Sequence, residues 1–229
     1  MKGKFYSKGQ VIDYVWQYSK YHGNLLSYCE SIAKGNFGNG FASLIFLFNL
    51  TENILKDRVK DYDSAFYQVI NKLKREGIIT IKEASFLNNE NNSIRRLRNL
   101  LAHSNLAKYN LVFIEAGREI YYPLVENETC LKVYDMVSEV LFNIMLKVVS
   151  IDFEQDFDIK TDNKIAEIEI NIKELTPEQL MRFKGFDDLT SIPEWSSMNE
   201  VERYRLAENT GDVNVYTEIF KGLFMDEIN

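Results

Sequence analysis

Apolar residues recur at helical spacing through most of the first 150 positions. Residues 9–34 carry Val11, Ile12, Val15, Trp16, Tyr18, Leu25, Leu26 and Ile32 in that rhythm. Gly35, Gly38 and Gly40, interleaved with asparagines, predict a break. The stretch 41–59, FASLIFLFNLTENILKDRV, is apolar on nearly every side, as a central buried helix must be. Residues 62–75 predict an amphipathic helix stopped at Gly77. Thr80, with Glu83 three positions later, reads as a capping box opening a short helix through about Leu87. The polar run NNENNS at 88–93 predicts a loop, and Ser93 can cap a helix over 94–103.

The period then changes. Tyr109–Glu115 and Glu119–Val125 are rich in β-branched and aromatic residues around Ala116-Gly117-Arg118, a hairpin signal. Thr129–Val149 returns to helix, with Val133, Met136, Val137, Val140, Leu141, Ile144 and Val148 on one face. From Ile151 the composition shifts. IDFEQDFDIKTD reads as an acidic linker. IAEIEINI at 165–172 alternates and is a strand candidate, able to join the hairpin as a third strand. Thr176-Pro177-Glu178-Gln179 opens a helix with proline at its first position. Ile192-Pro193-Glu194 predicts another, to about Asn209 with Gly211 as its stop, and a last helix covers roughly 212–224. The expected architecture is mainly α: a helical bundle over 1–150 with a small β-hairpin or sheet, then an acidic, mostly α extension over 151–229.

Composition sharpens this outline. The 229 residues are 45% hydrophobic and 13% aromatic, enough to build a core. The longest apolar run is Leu44–Phe48, far short of the roughly 20 residues of a bilayer span. MKGKFYSKGQ is basic but has no apolar stretch of a signal peptide, so a cytoplasmic protein is expected. The net charge of −7 hides an asymmetry. Residues 1–110 hold 16 Lys/Arg against 9 Asp/Glu, a surplus of +7, and residues 111–229 hold 11 against 25, a deficit of −14. Cys29 and Cys130 form no metal-type spacing and read as reduced core thiols. With two histidines and two isolated cysteines, no metal or other cofactor is expected. GNFGNG (35–40) is not a phosphate loop, since no strand precedes it and no Gly-Lys-Ser/Thr closes it.

Chemistry concentrates in SIRRLRNLLAHSNLAKY, residues 93–109. On a helix, Ile94, Leu97, Leu100 and Leu101 face the core, while Arg95, Asn99 and His103, spaced i, i+4, i+8, cluster opposite. Arg96 lies near them, Arg98 sits at the border, and Lys108 follows just beyond. No carboxylate neutralises the stripe locally. Histidine moves a proton near neutrality, and the arginine fork matches a phosphate. Asparagine can fix an imidazole nitrogen. The set suits RNA cleavage without a metal, by attack of the 2′-hydroxyl on the adjacent phosphate. One histidine per chain is a weak acid–base set, whereas two chains meeting at this face supply two. Arg95, Arg96 and Lys108 are candidate grips on flanking phosphates.

Arg98-Asn99-Leu100-Leu101-Ala102-His103 resembles the Arg-X4-6-His motif of the HEPN superfamily, and the order of predicted elements over about residues 9–150 is similar too. The resemblance implies an all-α bundle that homodimerises with both motifs at the dimer cleft. It also implies metal-independent endoribonuclease activity, often in toxins or anti-phage defence effectors, some with an antitoxin partner. It assigns Arg98 and His103 as the catalytic pair and Asn99 as the accompanying polar residue. One subgroup extends the motif to His-X-Tyr; here Ser104-Asn105 follows, so that tyrosine is missing and Tyr109 is out of register. The helical wheel and the motif disagree on the arginine. Arg95 shares the face of His103, whereas Arg98 lies about 140° away on an ideal helix. Either the helix ends or distorts before His103, or Arg98 reaches around.

Each of these residues also has a plainer role open to it. His103 can be a non-catalytic interface histidine, and His22 a surface or cap residue. Glu52, in the apolar helix, needs a partner, which an arginine of the motif helix can supply, either for structure alone or to orient the catalytic groups. Tyr14, Trp16, Tyr18, Tyr21 and Tyr28 can stack bases or pack core and dimer. The acidic half can be solvated surface, a cover for the basic face, or a partner surface. The alternative to the ribonuclease is a non-catalytic helical module that binds RNA, nucleotide or protein.

Overall fold

The computed structural model describes residues 4–35, 38–115, 118–153 and 157–211. Helix α3 (Gly40–Val59) and helix α7 (Asn127–Val149) run through the middle and pack along each other more extensively than any other pair of elements. Both are buried on nearly every side: Leu44, Leu47, Phe48 and Ile54 from α3 meet Val137, Leu141, Ile144 and Met145 from α7. Their buried hydroxyls need partners, and Ser43 and Thr51 donate to their own helix at Gly40 O (3.0 Å) and Leu47 O (2.8 Å). The helices meet closely at their first turns. A Cβ on Gly40 would stand 2.4 Å from the Asn127 carbonyl oxygen, so only glycine fits. Asn127 secures the join by accepting from Gly40 N (2.7 Å) and donating to Gly38 O (3.1 Å).

Around this pair lie α1 (Lys8–Tyr18), α2 (Lys20–Lys34), α4 (Phe66–Arg75), α5 (Ile81–Leu87) and α6 (Ile94–His103). The expected single run over 9–34 is two helices. Ser19 ends the first in extended backbone and accepts from His22 N (3.3 Å) to start the second. Gly23 lets α2 fold back, because a Cβ there would lie 2.5 Å from the Trp16 backbone. Helix α4 begins at Phe66, later than the expected 62, because Asp61 captures the Ser64 amide (3.0 Å) and hydroxyl (2.7 Å) in a turn. It ends as expected. Gly77, at φ +71°, passes the Ile78 amide to Leu73 O (3.0 Å) and its own to Lys74 O (3.1 Å). The Thr80–Glu83 capping box and the Ser93 cap on Arg96 N form as the spacing predicts.

Strands β1 (Tyr109–Glu115) and β2 (Arg118–Pro123) pair antiparallel, and β3 (Ile172–Glu174) joins the other side of β1, giving the order β2-β1-β3. The third strand is shorter and later than the alternation over 165–172 predicts. Residues Asp162–Glu167 form helix α8 instead. The short Ile/Ala/Glu run serves either state, and stitching to α5 decides it: Thr161 Oγ1 donates to Glu83 (2.6 Å) and Thr80 Oγ1 to Asp162 (2.8 Å). Helix α9 (Pro177–Phe183) opens on the expected Thr176–Gln179 capping box. Helix α10 (Glu200–Asn209) starts well after Pro193, because Asn199 and Glu202 form a reciprocal capping box there. The hairpin turn at Ala116-Gly117 and the expected helix over 212–224 lie outside the described residues.

The described chain is thus mainly helical, with one small antiparallel sheet. It holds two apolar clusters. Ile159 and Ile170 complete the cluster built on α3 and α7, so the chain directly after residue 150 packs into the bundle. Leu175, Leu180, Met181, Trp195, Tyr204 and Ala207 make a second cluster, which also takes Ala107. No described helix is long and apolar enough to cross a membrane.

Buried charge is placed where it is matched. Glu83 is fully buried and accepts from Thr80 N (2.7 Å), Thr161 Oγ1 and Lys147 Nζ (2.9 Å), joining α5, α7 and the segment before α8. Glu83→Ala removes the common acceptor and is expected to cost about 3 kcal/mol, read as a lower urea midpoint with an unchanged slope. Burial pushes the thiols of Cys29 and Cys130 up to about 12. Neither should react with a thiol reagent near neutral pH in the folded protein, and both should react once it is unfolded.

Candidate functional site

Helix α6 turns Ile94, Leu97 and Leu100 into the core, with Leu101 packed at its edge. That fixes the rotation of the helix and therefore the direction of every polar side chain on it. Arg95 and Asn99 are half-buried and His103 is exposed. The helix stays regular through His103 and stops there, where Ser104 N donates to Leu100 O (3.0 Å). Asn105 does not extend the motif. Its side chain accepts from Ala107 N (3.2 Å) and caps the short 3-10 turn Leu106–Lys108.

The border position of Arg98 sends it toward α3. Its Nη2 lies 2.7 Å from Glu52 Oε2, and its Nη1 donates to Asn99 Oδ1 at 3.4 Å. Glu52 also takes Lys56, one helical turn on, at 2.9 Å. One nearly buried carboxylate therefore serves two cations, which leaves the cluster with a surplus positive charge. The Arg98 side chain remains 31% exposed, with N–H donors to spare. The arginine of the motif helix that the sequence offers Glu52 as a partner is Arg98.

The other candidates separate. Arg95 Nε donates to Asn88 Oδ1 (2.5 Å), which ties it to the polar loop before α6. Arg96 stands 5.7 Å from the centre of the Tyr109 ring. Lys108 pairs with Glu200 at 2.9 Å and lies 4.8 Å over the Tyr204 ring. The Glu200 carboxylate holds its ammonium above the usual lysine range. His103 makes no hydrogen bond or ion pair among the described residues, and the bonds of Arg98 go to Asn99 and Glu52 instead. The structure therefore assembles Arg98, Asn99, Glu52 and Lys56 and leaves His103 apart at the helix end.

The partners of Lys108 lie 92 and 96 positions away, and no periodicity could reveal them. Lys56 had a signal, its i,i+4 spacing from Glu52. Of the aromatics, Tyr14 packs into the core against Tyr6 and Phe157. Trp16, Tyr18, Tyr21 and Tyr28 keep much of their surface in water. His22 sits on α2 against the Tyr21 ring. No group of three potential metal ligands occurs among the described residues.

Comparison with known protein families, with curated proteins and with solved structures finds no match. The chemistry of the site therefore rests on its own residues. A cationic cluster held by a carboxylate can bind and polarise a phosphate, and an exposed imidazole nearby in sequence can exchange a proton with solvent or substrate. A double-mutant cycle on Glu52→Gln and Arg98→Met, read by urea unfolding, should give a coupling of about 1 kcal/mol, between exposed and fully buried pairs. A coupling of zero would show the contact to be energetically idle.

Proposed function

We propose that this protein is a HEPN-type, metal-independent endoribonuclease of the cytoplasm, working as a homodimer and serving as a toxin or anti-phage defence effector. The observation that carries the reading is the segment Arg98-Asn99-Leu100-Leu101-Ala102-His103, on a helix whose rotation leaves His103 in solvent and Arg98 partly open. Glu52 supports it by holding the guanidinium in one place before substrate arrives. Asn99 adds a second hold on the same group.

In this mechanism a histidine takes the proton of the 2′-hydroxyl. The 2′-oxygen bonds to phosphorus, the bond to the 5′-oxygen breaks, and that oxygen receives a proton from the second chain's histidine. Arg98 stabilises the extra negative charge on the phosphoryl oxygens. Arg95, Arg96 and Lys108 hold neighbouring phosphates. The second reading is a non-catalytic module that binds RNA, nucleotide or protein on this face. That no hydrogen bond orients His103 among the described residues favours it, since catalytic histidines are ordinarily held by one.

Purified protein should cleave RNA in EDTA and leave 2′,3′-cyclic phosphate ends. His103→Ala should lower the rate at least about a hundredfold. Cleavage that needs a divalent metal, or that persists in the variant, overturns the mechanism, and binding without cleavage selects the second reading.

A further inference from the structure

A cavity of about 260 Å³ opens between the sheet and α9, with none of its lining drawn from α6. One wall is aromatic: the rings of Tyr121 and Phe183 stack with centroids 4.1 Å apart at 37°. Leu175, almost fully buried, belongs to the apolar lining. The remaining lining groups are Lys173, Gln179 and Arg182.

The hydrogen-bonding state of these groups is specific. Gln179 Oε1 is already used, since it accepts from Thr176 N at 2.8 Å in the capping box of α9. The amide is thereby oriented, and its NH₂ has no partner among the described residues. The Arg182 side chain has no hydrogen bond, ion pair or ring partner among the described residues, and its carbonyl accepts from Gly185 N (3.0 Å). Lys173 gives one proton to Glu119 (3.0 Å) and one to the Tyr121 hydroxyl (2.8 Å), and keeps a third. The Tyr121 hydroxyl in turn donates to Glu119. The nearby carboxylate takes both of these partners on its Oε2, and the uncommitted polar groups of the cavity lining itself are donors.

An aromatic wall beside a donor-only, cationic rim fits a planar ring that carries an oxyanion. We propose that this cavity is a nucleotide site, with the base against the Tyr121–Phe183 wall and the phosphate at Arg182 and Gln179. The volume lies just below the roughly 300–1,000 Å³ of small-molecule sites, so it takes a single nucleotide. The nucleotide is either free or one unpaired residue of an RNA strand, and both present the same base and phosphate. The site shares no residue with those proposed for cleavage.

Calorimetric titration of the full chain with adenosine 5′-monophosphate, adenosine, inorganic phosphate and a short 2′-O-methyl oligoribonucleotide, which 2′-hydroxyl attack cannot cut, tests the proposal. Two variants accompany it. Arg182→Gln removes the fork. Gln179→Glu keeps the capping box, which accepts Glu at that position, but replaces donors with a negative charge. For a free nucleotide, the monophosphate binds more tightly than adenosine or phosphate alone, and each variant weakens it at least about tenfold. For a strand residue, the oligonucleotide alone binds, and each variant weakens it by the same order. The proposal is overturned if neither ligand binds, if phosphate binds as well as the monophosphate, or if either variant binds like the parent protein.

Discussion

Two helices that are buried over most of their surface impose the plan of this protein. Helix α3 leaves only a narrow stripe at Ile45, Asn49 and Asn53 in water, and α7 one at Lys132, Asp135 and Glu139, so burial of each against the other settles only part of the demand. The remaining flanks are closed by α1 and α2 on one side, by α4, α5 and α6 on another, and by the sheet and Ile159 to Ile170 from the second half. The later chain is therefore needed to finish the first core.

Polar groups inside this arrangement act as fixed joints. Asn143, fully buried on α7, accepts from Tyr6 N (2.9 Å) and donates to Tyr6 O (2.8 Å), pinning the start of the chain. Glu30 gathers Lys8 (2.8 Å), Lys34 (2.8 Å) and the Tyr134 hydroxyl (2.7 Å). Burial acts to raise its carboxyl, but the hydrogen bonds from Lys34, Lys8 and Tyr134 outweigh it and hold the group below the usual glutamate range. Each joint links elements far apart in sequence. Together they give a greasy bundle a single arrangement, which apolar contact alone does not dictate.

What could be read in advance follows from the range of the physics involved. Caps at Thr80, Ser93 and Thr176 act over three residues and are legible as local spelling. The apolar character of 41–59 names a central helix by itself. Two features failed where local signals compete. The isoleucine run at 165–172 satisfies helix and strand alike until Thr161 and Asp162 are tied to α5, and Pro193 offers a helix start that the Asn199–Glu202 box overrides. At the site, the wheel put Arg98 on the border but could not say which way it would lean. Its direction depends on Glu52, 46 positions earlier, and that meeting exists only after α3 and α6 have packed.

The short turn that follows His103 belongs to two cores at once. Leu106 packs against the bundle, while Ala107 is buried in the second cluster and the Lys108 carbonyl accepts from Leu175 N (2.8 Å). This turn is in that sense the hinge pin between the two. A shift of α9 and α10 relative to the bundle would be felt in these three residues, which begin three positions after the histidine. The place where the chain leaves α6 is therefore anchored by both cores together, not by the bundle alone.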